Sequence, residues 1–165
     1  MKKKTILFII LGILGVISIL GYSYIKNSKP LSSDKYLLMY QMMIDSLMDS
    51  SNNLSTDAEY LALDLDSFEL LNSSDKKSLI DYAKKYHTNV FASSYEELKE
   101  KGLIDESGFN LKGYLISINE FKRMLNTVTL EIGRYKESLG ALGYCYKAKY
   151  KNNKWNIKEK CVFVS

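Results

Sequence analysis

Asp64 and Asp66 stand two residues apart with Glu69 close behind, so a strand through them would present both carboxyls on one face. Such a pair suits general acid and base work or a calcium site. The ligand spacing of an EF-hand loop is absent, however, and a solvated strand face explains the pair without any ligand. The only histidine, His87, falls between a helical and a strand-like pattern, where it can serve a helix C-terminus. With that one His and two Cys in no recognisable catalytic context, a nucleophile, a base and an orienting group cannot be assembled. The chain carries no phosphate-binding glycine loop, dinucleotide fingerprint or zinc-type Cys/His spacing. A role without catalysis, cofactor or metal is therefore expected, and an enzyme using Asp64 and Asp66 is the alternative. Gly140, Ala141 and Gly143 would allow a backbone to approach a ligand closely, and a loop or bulge would use them equally well.

A second group of residues is defined by pairing. Asn152-Asn153 suits a two-residue type I′ turn, because asparagine tolerates positive φ at both central positions. Paired residues then place Tyr150 opposite Trp155, Ala148 opposite Ile157 and Tyr144 opposite Cys161, with the large apolar side chains on one face. The other face collects Lys147 opposite Lys158 and Lys151 opposite Lys154, with Lys149 and Lys160 between them. Like charges directly opposed are unfavourable. Lysine on an exposed strand also guards against edge pairing, so a solvated face explains the row, and so does an anionic partner. This register points Cys161 into the apolar face and Cys145 away from it. A disulfide between them needs a three-residue loop or a bulge that shifts the pairing by one, and the two-residue turn argues against it.

Charge separates along the chain. Residues 31 to 106 carry seven basic and 15 acidic side chains, whereas residues 107 to 165 carry 11 basic and four acidic. The partners such a dipole invites are lipid head groups, an anionic wall polymer, or the acidic half of the same or a neighbouring molecule. The overall charge of +4 does not signal nucleic acid, because five lysines (Lys2, Lys3, Lys4, Lys26 and Lys29) flank an apolar run at the start.

The elements that must position these groups follow from periodicity. Tyr36, Tyr40, Met43, Ile44 and Leu47 recur at helical spacing and predict a helix over 34–49, with Met39, Met42, Met43 and Met48 as core or as a plastic binding surface. Tyr60–Asp66 alternates as a strand, Ser73 or Ser74 caps a helix running to Tyr86, and 88–92 is a second short strand in a parallel βαβ unit. Ser94 opens a third helix that Gly102 closes. Beyond Asn110 the period becomes two, with Tyr114, Ile116 and Ile118, then Val128, Leu130 and Ile132, then Tyr144, Tyr146 and Tyr150, then Trp155 and Ile157 on one face. The expected fold is α+β, with about three helices and a mostly antiparallel sheet ending in a four-stranded meander.

From Ile6 to Leu20 the only polar side chain is Ser18, and Tyr22, Tyr24 and Ile25 extend the run to the length a bilayer core requires. Residues 5–25 are expected to form a transmembrane helix in contact with the lipid bilayer. Lys2, Lys3 and Lys4 keep residues 1–4 in the cytoplasm, residues 26–33 form a linker, and residues 34–165 form one extracytoplasmic domain. A cleaved secretory signal is the competing reading of the same run.

Tyr60-Leu-Ala-Leu-Asp-Leu-Asp66, Tyr95-Glu-Glu-Leu-Lys-Glu-Lys-Gly102, Gly140-Ala-Leu-Gly143 and Lys149-Tyr-Lys-Asn-Asn-Lys-Trp155 together resemble a family of small uncharacterised membrane-anchored or exported proteins of Gram-positive bacteria. The resemblance covers most of residues 35 to 165 and implies a cell-envelope setting rather than an activity. The combined expectation is a single-pass membrane protein whose domain binds a partner outside the cell. A structural subunit of a membrane complex is a further alternative.

Overall fold

The structure is a computed structural model and describes residues 31–49, 58–105, 110–137 and 140–164. The apolar run at 5–25, its cytoplasmic flank and residues 26–30 of the linker lie outside the described residues. Among the described residues no helix is long and apolar enough to cross a membrane.

Helix α1 (Ser33–Asp49) buries Tyr36, Met39, Tyr40, Met43, Ile44, Leu47 and Met48, so three of the four methionines are core and only Met42 is exposed. Strand β1 (Leu61–Leu63) is shorter than the alternation over Tyr60–Asp66 suggested. Its residues are buried on both faces, and the chain leaves the ladder at Asp64, where Ser67 bonds the Asp64 carbonyl through both its amide (3.0 Å) and its hydroxyl (2.7 Å). Helix α2 (Ser73–Ala83) is capped by Asn72 rather than Ser73 or Ser74. The Asn72 Oδ1 accepts the Asp75 amide at 2.8 Å, and the helix stops before Tyr86. Strand β2 (Val90–Ala92) leads to helix α3 (Tyr95–Glu100), which begins with a Ser94/Glu97 capping box. It ends in a Schellman turn: Gly102 has φ +67°, its amide bonds Lys99, and the Leu103 amide bonds Leu98.

The meander then follows as β3 (Asn110–Met124), β4 (Thr127–Glu137), β5 (Gly140–Lys151) and β6 (Lys154–Val164). The six strands form one sheet in the order β2-β1-β3-β4-β5-β6. β1 runs parallel to both β2 and β3, and every later pairing is antiparallel. Among the described residues this is the expected α+β architecture, with three helices and a mostly antiparallel sheet.

The two crossovers lie on opposite faces of the sheet. Leu79 and Ala83 of α2 pack with α1 against Leu61, Leu63, Ile116, Leu130 and Tyr146, whereas Leu98 of α3 packs against Tyr60, Ala62, Leu111 and Leu115. Each buried Leu or Ile among them contributes about 1.5 to 3 kcal/mol relative to exposure. Among the described residues no helix covers the α3 face over β4, β5 and β6.

A polar cluster joins α1 to α2. Asp45 accepts hydrogen bonds from the Tyr82 hydroxyl (2.6 Å) and the Tyr86 hydroxyl (2.8 Å) and pairs with the Lys85 ammonium (2.8 Å). Burial pushes the Asp45 carboxyl up, but these donors outweigh it and hold its pKa below the ordinary 3.8. A depressed carboxylate stabilises the fold above its unfolded pKa, and that contribution is lost as pH falls through the folded value. Asp45→Asn is expected to cost about 1 to 2 kcal/mol at pH 7, after discounting for partial exposure. Urea titrations at pH 7 and below pH 3 should show the gap to wild type shrinking in acid. A gap that does not change would mean that Asp45 carries no such charge-dependent contribution.

Candidate functional site

Two groups of residues are candidates. The first lies where the parallel strands end. Asp64, Leu65, Asp66, Lys76, Ala92, Ser93, Ser94 and Glu97 line a cleft of about 290 Å³ at the carboxyl ends of β1 and β2, the position at which open parallel sheets commonly take ligands. The acidic pair does not share a strand face, because β1 ends at Leu63. Asp64 is half-buried and accepts a hydrogen bond from the Ser117 hydroxyl at 3.2 Å, whereas Asp66 is fully exposed and pairs with Lys76 at 3.1 Å.

Sequence reasoning had not grouped Ser93 and Glu97 with this pair. Ser93 is buried, donates to the Glu97 carboxylate at 3.1 Å and accepts from the Lys101 ammonium at 3.4 Å. Bonds from the Ser94 amide and the Ser93 hydroxyl hold the Glu97 carboxyl below its usual range, so it stays ionised near neutral pH and cannot act there as a general acid. The capping-box spacing was the signal that could have located it. Among the described residues no three His, Cys, Asp or Glu side chains gather closely enough to hold a metal ion.

His87 does not serve the C-terminus of α2, which ends at Ala83. Its Nδ1 accepts the Asn89 amide at 3.0 Å and its Nε2 lies 3.1 Å from the Ala58 carbonyl, so both ring nitrogens are engaged in tying the loop before β2 to the chain before β1.

The second group lies on the β5–β6 hairpin. Asn152 and Asn153 take φ +53° and +59°, the two-residue turn expected of them. Tyr150 opposes Trp155, Ala148 opposes Ile157, and the opposed pairs Lys147/Lys158 and Lys151/Lys154 hold, with Lys149 opposite Asn156. Lys147, Lys149, Lys151, Lys154 and Lys158 are exposed, and none forms an ion pair with a described carboxylate.

Beyond Tyr146/Glu159 the register shifts by one, and Lys160 is the extra residue. Tyr144 therefore opposes Val162, not Cys161. Cys145 opposes Cys161 with Cα atoms 5.1 Å apart, and the two are disulfide-bonded. The uninterrupted register that argued against the bond is corrected by this bulge. Gly140 opens β5 and Gly143 sits within it opposite Gly133, so both belong to the ladder rather than to a ligand loop.

No family model matches the chain, and no curated protein or solved structure matches it either.

Proposed function

We propose that this chain is a membrane-tethered, extracytoplasmic binding domain of a Gram-positive cell envelope, non-enzymatic, held by residues 5–25 and presenting its lysine hairpin to an anionic partner. The observation that carries the reading is the Cys145–Cys161 disulfide, since such bonds persist in oxidising surroundings and are rare in the cytoplasm. The uncovered lysine face supports it. Opposed like charges cost stability in the free domain, and an anionic partner would relieve that cost.

Protease added to whole cells stripped of wall is expected to digest residues beyond 30 and leave a short membrane-embedded N-terminal fragment. Intact mass should also show an uncleaved chain. Recovery of a mature protein lacking its first two dozen residues, or resistance of the C-terminal portion to protease, would refute the tether.

A further inference from the structure

Resting on that reading, we propose that the end of the sheet where the chain enters the domain binds an anionic lipid bilayer, with the Met124–Leu125 turn inserting among the head groups and the basic residues around it holding their phosphates. Three features converge at this end. The turn after β3 and the turn after β5 lie side by side, because Asn126 accepts the Tyr150 amide and donates its side-chain amide to the Tyr150 carbonyl, both at 2.9 Å. The start of α1 is fastened to the same place: the Trp155 indole donates to the Lys35 carbonyl at 2.7 Å and its ring lies 6.0 Å from that of Tyr36. Strand β1 stops at Leu63 opposite Ile116, whereas β3 runs on to Met124, so the turns project roughly 25 Å past the end of β1.

The turn itself is unusual. Met124 is 77% exposed and Leu125 40% exposed, and Leu125 holds φ +53° at a position that hairpin turns normally give to glycine or asparagine. A bulky apolar residue kept exposed in a disfavoured conformation points to a function for the turn. Around it stand Arg123, Lys149, Lys151 and Lys154, with Lys122 paired at 3.0 Å to Glu120. The other charges close by are Lys35, paired with Asp34, and the acids Glu120 and Glu131. An apolar tip inside a basic collar suits the interface of an anionic membrane.

Chain length brings the tip within reach. Five residues separate Ile25 from Leu31, which limits the span to about 20 Å even when fully extended. Leu31 packs against the domain core. A domain tethered this closely, through the end that carries the lysines, meets lipid phosphate before any wall polymer farther out.

The test uses the full chain reconstituted into vesicles of phosphatidylcholine alone or with one-third phosphatidylglycerol. Brominated lipid should quench the indole introduced by Met124→Trp in the phosphatidylglycerol vesicles, and do so well beyond the wild-type signal from buried Trp155. Hydrogen exchange of the unmodified chain should slow at 122–127 and 149–154. Lys149→Gln, Lys151→Gln and Lys154→Gln together should lower the docking equilibrium about 100-fold, each lysine near an anionic surface being worth about fivefold. No quenching beyond wild type with phosphatidylglycerol present would overturn the proposal. So would protection of the lysine strands by soluble polyanionic wall polymer with the indole unquenched. Alkaline carbonate extraction reads the tether separately: a chain that stays with the vesicles but is not quenched loses only the docking, and one that is quenched but washes off loses only the tether.

Discussion

Replacing Cys145 and Cys161 by serine is expected to lower the stability of the domain by about 3 kcal/mol. The bond closes a loop with a sequence separation of 16, and removing it returns to the unfolded chain the freedom that the closed loop denies it. Two circumstances make the loss visible. Among the described residues strand β6 lies at the edge of the sheet with β5 as its only neighbour, and past the bulge at Lys160 its exposed side chains, Val162 at 52% among them, offer little burial to replace the link. In urea the midpoint should fall by roughly 2 M for an m-value near 1.5 kcal/mol/M, and reductant added to wild type should reproduce the shift. A midpoint indifferent to both treatments would show that the cysteines are not bonded in the folded protein, and the extracytoplasmic reading would lose its main support.

Gly113→Ala should be at least as damaging, costing about 3 kcal/mol or more. A Cβ at this position would meet the Tyr60 carbonyl oxygen and would stand 2.7 Å and 2.8 Å from two atoms of the Tyr60 ring. Neither can give way. The carbonyl is the acceptor that bonds the Tyr114 amide and so joins β1 to β3. The ring is fully buried, lies tilted against Phe91 with centroids 5.4 Å apart, and is fixed at its far end by a 2.9 Å hydrogen bond to the Leu103 carbonyl. Accommodating the methyl means breaking the β1–β3 ladder or expelling Tyr60, beyond the usual cost of an overpacked core. For a domain whose total stability is on the order of 5 to 15 kcal/mol, that is enough to depress the folded yield. Gly133→Ala provides the contrast. Its nearest neighbour is the half-buried Tyr135 ring at 2.9 Å, a side chain able to shift at the expense of one bond to Asn119, so about 1 kcal/mol is expected. Thermal melts that rank the two variants equally would refute this account of β1.

The elements were readable where a single local rule fixes them. The 3.6-residue recurrence from Tyr36 to Leu47 gave α1, the double asparagine gave the β5–β6 turn, and Ser94 and Gly102 gave the two ends of α3. What was not readable depends on sequence-distant partners. Asp64 and Asp66 looked like strand residues because alternation continues past Leu63, yet the chain leaves the ladder there, and nothing local distinguishes a ladder residue from a turn residue of the same polarity. Asn72 and Ser73 rank alike as caps, so only the backbone decides between them. The bulge at Lys160 reversed the inference about the cysteines, since one inserted residue in β6 moves Cys161 to the side of Cys145 without altering any of the pairs nearer the turn. The contacts of Asp45 with Tyr82 and Tyr86, 37 and 41 residues away, left no trace in spacing at all.

The position of α1 has a consequence for the order of assembly. This helix is the first described element to be synthesised, yet it rests on β4 and β5, and Trp155, the residue that fastens its first turn, lies 120 positions later. Those of its buried side chains that face β4, β5 and Trp155 therefore wait until nearly the whole chain has emerged, whereas those that meet Phe68 and α2 find their partners sooner. The hairpins of the meander, whose contacts are short-range, can close without it, so α1 docks late and stays vulnerable to aggregation or proteolysis until then.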